Sequence, residues 1–140
     1  MRRTFFALLL LAMSSNALAG FAEGKSALAQ NDLPAAFQEF LAGANAGDAR
    51  AQHAVALLYT RGMGTPRSDV DAAKWFQRSA ELNNTHSQFN LGVMFHTGRG
   101  VPRSTRDAVL WYRKAAESGH VQAQNDLGLM LLTGDGAPHE

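Results

Sequence analysis

Between Thr85 and His96 the apolar and small residues Phe89, Leu91, Gly92, Met94 and Phe95 recur at mixed intervals of three and four, the spacing that gathers side chains on one face of an α-helix. Ala108, Val109, Tyr112, Ala115 and Ala116 do the same between Thr105 and Glu117. The pattern predicts two helices, and the residues between them predict why they are not one. Gly98 can take the left-handed conformation that ends a helix, and Pro102 lacks the N–H needed to continue it. Ser104 can then cap the second helix, with Asp107 in its first turn favouring the positive helix end. Gly119 closes it.

This hairpin is not unique in the chain. The tandem glycines of TGRGVPRS occur as Gly62 and Gly64, Gly98 and Gly100, and Gly134 and Gly136, always 36 residues apart. Pro66, Pro102 and Pro138 keep the same step, as do Gln52, Gln88 and Gln124, and Ala44, Ala80 and Ala116. So do the pairs Trp75/Trp111, Leu91/Leu127, Gly92/Gly128, Asp71/Asp107 and Ser68/Ser104. A nucleotide-binding glycine loop would need a preceding strand and a third glycine in register, and neither is present. Self-similarity at this period predicts an all-α solenoid, in which each hairpin buries its apolar face against its neighbours. The glycine pair is then a bend between helices. Ala56, Gly92 and Gly128 share one position and would let helix axes approach closely, while Trp75, Phe76, Trp111 and Tyr112 fill the space between.

The stretch SQFNLGVMFHTGRGVPRSTRDAVLWYRKAAESGHVQAQNDLG resembles the Sel-1-like repeat, a relative of the tetratricopeptide repeat. The resemblance rests on Gln88, Leu91, Gly92, Phe95, Gly98, Gly100, Pro102, Ala108, Trp111, Tyr112, Lys114, Ala115, Ala116 and Gly119. It covers two full units at 49–84 and 85–120 and a partial one at 121–140. Residues 20–48 read as a degenerate helix pair, Phe21 to Gln30 and Leu33 to Ala46 about a turn at Asn31-Asp32, with Glu39 where later units have tryptophan. The resemblance implies a right-handed superhelix whose first helices line a concave groove for a protein or peptide partner.

The N-terminus follows a different rule. Met1-Arg2-Arg3, the apolar run from Phe5 to Met13 and Ala17-Leu18-Ala19 before Gly20 form a charged region, a short hydrophobic region and a small-x-small cleavage site. Residues 1–19 therefore read as a signal peptide cleaved between Ala19 and Gly20, which predicts a periplasmic or secreted protein. The arginine pair lacks the flanking residues of twin-arginine export. Removing Arg2 and Arg3 leaves eleven basic residues against the twelve acidic ones, a balance that gives bulk electrostatics nothing with which to hold nucleic acid or an anionic membrane. There is no cysteine, hence no disulfide framework and no thiol chemistry. No second apolar run approaches membrane-spanning length, so no stable insertion is expected after cleavage.

Within the helices, the positions one face away from Leu91 and Phe95 differ from unit to unit while the packing positions recur. They are Arg50, His53, Leu57 and Thr60 in the first unit, His86, Phe89, Val93 and His96 in the second, and Gln122, Asn125, Leu129 and Leu132 in the third. These twelve residues are the candidate partner-binding surface. His53, His86 and His96 on that face raise metal binding, but no helical pair has ligand spacing, and unit-equivalent positions are expected about 10 Å apart, the helix-packing distance. Neither a metal nor a cofactor is expected. Gln52, Gln88 and Gln124 are expected to hydrogen-bond neighbouring backbone, Asp71 and Asp107 to serve helix ends, and Trp75 and Trp111 to be buried rather than form a sugar-stacking ladder. No nucleophile and base stand at usable spacing, so no catalytic residue is assigned.

The expected function is a non-catalytic, exported adaptor for a partner in the cell envelope. The family resemblance also brings a peptidoglycan- or glycan-binding role and an immunity-type inhibitor of an exported toxin as alternatives. In the last unit, Leu127, Met130 and Leu131 are expected to lack the packing that a following helix supplies upstream. A partner chain, a second copy of this chain or its own tail would cover them.

Overall fold

The computed structural model describes residues 2–135, with side-chain surroundings from Asn16 onward. The side chains of residues 1–15, where the signal-peptide expectation places its charged and apolar regions, and the repeat positions Gly136 and Pro138 lie outside the described residues. Among those described, the chain forms seven helices: α1 (Arg2–Ala29), α2 (Leu33–Asn45), α3 (Ala49–Arg61), α4 (Asp69–Glu81), α5 (Thr85–Thr97), α6 (Thr105–Glu117) and α7 (Val121–Thr133). They stack in sequential pairs, α1 on α2, α3 on α4 and α5 on α6, and each pair also rests on the next through its second helix. The result is a solenoid-like array.

Each hairpin is punctuated by the residues whose chemistry predicts it. Gly62 and Gly98 stand at φ 65° and 70°, and their N–H groups donate to Leu58 and Met94 carbonyls at the ends of α3 and α5. Ser68 and Ser104 cap α4 and α6, their hydroxyls accepting the N–H of Asp71 and Asp107 at 3.2 Å. Gly100 has a second reason to be glycine. It packs directly on the Asp69 carbonyl of the preceding unit, leaving no room for a Cβ, and Gly64 packs the same way on Leu33. The tandem glycines therefore turn the chain and then let it touch the hairpin before it.

The recurring glutamines stitch one pair to the next. Nε2 of Gln52, Gln88 and Gln124 donates to the carbonyls of Ala44, Ala80 and Ala116 at 3.2, 3.3 and 3.1 Å, in the last turn of the preceding helix. Each of those carbonyls also accepts the backbone N–H three residues on, of Gly47, Asn83 or Gly119, so the glutamine fills the second acceptor site of a carbonyl at the helix end.

Three apolar clusters run along the stack, each centred on a second helix and the first helix that follows it, with Ala56 of α3 and Trp111 of α6 joining the middle one. Phe37, Phe40 and Ala44 meet Ala51, Val55 and Leu58; Ala72, Phe76 and Ala80 meet Ala56, Leu91, Met94 and Trp111; Ala108, Tyr112 and Ala115 meet Ala123 and Met130. Burial of a ring such as Phe76 or Tyr112 stabilises by about 1.5–3 kcal/mol. Trp111 is buried, with the Lys114 ammonium 4.6 Å from its ring centroid, and Trp75 is half-buried with the Arg78 guanidinium at 4.6 Å. Gly92 lets α5 and α6 approach closely, since a Cβ there would stand 2.7 Å from Cδ1 of Tyr112.

Two details differ from the sequence expectation. α1 does not begin at Phe21 but runs unbroken from Arg2 through the Ala19–Gly20 junction. Ala17, Leu18 and Ala19 are good helix formers, and Gly20 and Gly24 let α1 press onto Gly43 and Phe40 of α2. Met130 is buried rather than left bare. It occupies the position of Met94, which faces the preceding hairpin and so needs nothing after it.

Candidate functional site

The first helices α3, α5 and α7 lie side by side, and the candidate residues fall along that row. His53 is half-buried and His86 exposed, with ring centroids 6.0 Å apart. His120, which sequence reasoning did not place in the site, continues the line at 5.4 Å from His86 and stacks on Phe89 at 4.6 Å and 20°. Phe89 in turn leans on Tyr112 at 5.7 Å. Three imidazoles and two aromatic rings thus form one continuous strip. The spacing is shorter than the expected helix separation because His53, His86 and His120 are not repeat-equivalent. Each step falls two or three residues short of the period, which brings the next side chain back diagonally toward its neighbour.

The other candidates are distributed around the strip. Arg50 is exposed, pairs with Asp48 at 2.7 Å and lies over the Phe21 ring at 4.4 Å. Leu57 and Val93 are half-buried against the apolar clusters. Thr60 turns its hydroxyl back to the Leu57 carbonyl at 2.7 Å. His96 sits apart from the other histidines, its Nε2 3.3 Å from Asp135 and its ring edge-on to Tyr112. Gln122, Asn125, Leu129 and Leu132 are exposed on α7.

A chain of hydroxyls sets the protonation of His53. Ser79 Oγ donates to the Ala49 carbonyl at 2.7 Å, and a carbonyl can only accept. Its oxygen is therefore the acceptor for Ser87 O–H at 2.8 Å, and Ser87, with its one proton committed, accepts from His53 Nδ1–H at 2.8 Å. The neutral ring thus carries its proton on Nδ1 and keeps a lone pair on Nε2. Burial, reinforced by the charge of nearby His86, lowers His53 to a pKa of about 4. Ser87 is fully buried, so the pair positions a ring and does not present a nucleophile.

His120 is fixed in the opposite tautomer. It is the N-cap of α7, and its Nδ1 accepts the N–H of Ala123 at 3.2 Å, which leaves the proton on Nε2. Burial and His86 lower its pKa, partly opposed by Asp126. A charged imidazole would lose the cap and face the positive end of the helix. The repeat alignment carried the signal for this residue, since the equivalent positions are Asp48 and Asn84, both N-caps.

The strip offers flat aromatic faces, with an imidazole acceptor at His53 and an imidazole donor at His120, both harder to protonate than a free histidine. Among the described residues no three His, Asp or Glu side chains converge as metal ligands would. Two open clefts lie elsewhere: about 490 Å³ beside Gly20, Glu39 and Asn45, and about 290 Å³ beside Val70, Lys74 and Val101. Neither gathers a set of reactive groups.

Comparison with known proteins matches this geometry to a family. The sequence profile of the Sel1 repeat matches residues 49–84, 85–120 and 121–139. A Sel1 repeat protein from Oxalobacter formigenes is similar at a TM-score of 0.76 and 30% identity, over 89% of this chain and 51% of that one. The protein c5321, a protective antigen present in uropathogenic Escherichia coli strains displaying an SLR fold, has a TM-score of 0.76 and 31% identity over 91% of this chain and 29% of its own. Helicobacter pylori cysteine rich protein B (hcpB) shares the fold at a TM-score of 0.71 and 17% identity, over 91% and 97%. The chain thus spans about half the length of the first protein and under a third of the second. Among curated proteins there is no match.

Proposed function

The chain belongs to the Sel1 repeat family, and from that starting point we propose that it is a non-catalytic adaptor that binds a protein or peptide along the row of its first helices. Sel1 repeats generally mediate protein interactions, and the contrast within this chain supports using that row. Packing positions repeat almost unchanged, whereas the row carries Arg50, His86 and Gln122 at one level and His53, Phe89 and Asn125 at the next. Stacking does not require that variety; recognition does. The strip of His53, His86, His120 and Phe89 suits a segment with apolar or aromatic side chains and free backbone hydrogen-bonding groups.

The test is site-specific photo-crosslinking in intact cells. A crosslinker at position 86 is expected to capture one defined protein, while the same group at position 78, on the outer surface of α4, captures none. Equal capture at both positions, or capture of glycan alone at position 86, overturns the reading.

Export through the signal peptide is part of the same proposal. Cleavage after Ala19 keeps the contacts of Gly20, Phe21 and Gly24 with α2. N-terminal sequencing of protein from the envelope fraction is expected to begin at Gly20, and an intact N-terminus in the cytosol would contradict it.

A further inference from the structure

The face of α7 that matches the α6-covered face of α5 carries an inference independent of the groove. In α5 that face consists of the buried Leu91, Gly92 and the half-buried Phe95. Tyr112 of α6 fills the space that Gly92 leaves, with Cδ1 and Cε1 only 2.7 and 2.9 Å from where a Cβ would stand. One unit earlier Ala56 and Phe76 share a core cluster in the same register. The chain therefore makes this interface twice: a small residue on a first helix, an aromatic ring on a second.

In α7 the same face recurs as Leu127, Gly128 and Leu131. Among the described residues nothing lies within 4 Å of a Cβ built on Gly128. Leu131 is 51% exposed. The helix itself is well anchored, because Met130 and Ala123 are buried on its other side and Gln124 holds the Ala116 carbonyl. α7 carries no basic residue and one acid, Asp126, so its open face is an uncharged ridge around a notch.

We propose that this face docks an amphipathic helix, lying on α7 as α6 lies on α5 and seating an aromatic side chain in the Gly128 notch. The surface continues, in register, an interface that α4 and α6 already form with α3 and α5. A helix laid into a groove through one bulky anchor is an established recognition mode. An apolar ridge of this shape has no free backbone edge to pair with a strand.

The probe is a labelled synthetic peptide spanning residues 104–119, the capped sequence of α6, titrated with the full chain. Saturable micromolar binding is expected, with a gain of peptide helicity and a loss of about tenfold or more in affinity when the peptide carries Tyr112→Ala. Gly128→Leu in the protein should abolish binding and leave the melting temperature unchanged or raised, because the new side chain meets nothing and replaces a helical glycine. His86→Asp, which alters the groove, should leave peptide binding intact. No binding at millimolar protein, unchanged binding by Gly128→Leu, or a chain dimer that Gly128→Leu dissociates would each overturn the proposal, the last by assigning the face to a second copy.

Discussion

His53 Nδ1 lies 2.8 Å from the hydroxyl of Ser87, a residue in the next hairpin, and this one contact joins the buried hydroxyl chain to the exposed strip. Ser87→Ala leaves the His53 N–H without its acceptor and Ser79 without its donor. Unpaired buried groups cost about 1–3 kcal/mol each, so a loss of about 2 kcal/mol is expected in denaturant titration. The ¹⁵N shifts of His53 should also lose the Nδ1–H signature. A variant with native stability and tautomer would show that the serines do not set the ring.

Acid should weaken the fold before the carboxylates titrate. His53 and His120 are both harder to protonate in the folded chain than in the unfolded one, where the value is near 6.5. Their stabilising contribution is complete above that value and is lost as pH falls toward about 4, because the unfolded chain binds the protons first. With each pKa unit equal to about 1.4 kcal/mol and the strip partly screened by solvent, His53 should account for about 2 kcal/mol of that loss. Unfolding followed from pH 7 to 4 reads it, and His53→Gln should flatten the curve. Asp48 and Asp69 act lower: arginine pairing outweighs burial and depresses both, so their contribution is lost only below the ordinary aspartate value.

Gly92→Leu should overpack the α5–α6 contact, because even a Cβ would meet the Tyr112 ring at 2.7 Å. A net cost of about 1–3 kcal/mol is expected after the gain from removing a helical glycine. Thermal denaturation measures it, and an undiminished midpoint would refute the packing account.

The two glycines of the 98–100 loop should not be equally sensitive. Both have positive φ, which costs a residue with a side chain about 1–2 kcal/mol. At Gly98 the added Cβ would meet the Arg103 Cβ at 3.2 Å, a contact relieved by a movement of a few tenths of an ångström, whereas at Gly100 it would run into the Asp69 backbone. Gly100→Ala should therefore lower the melting temperature clearly more than Gly98→Ala, and the reverse order would sink the explanation.

The sequence by itself determined the hairpins. Helix periodicity, serine caps, left-handed glycines and the 36-residue step are local or strictly repeated features, and each acts through a few neighbouring residues that lie together in the chain. It also exposed the glutamine stitches, because an amide recurring with the period at the start of each first helix meets the same carbonyl of the preceding hairpin each time. Only the tertiary structure decided which histidines meet. His53, His86 and His120 come from three different hairpins and from positions that are not equivalent, and their approach depends on how far one helix is turned and shifted against the next. The Ser79–Ser87 relay and the half-burial of Phe89 follow from that same stacking offset. A repeat period fixes what each unit is, but the distance between side chains on adjacent units is set by packing between them.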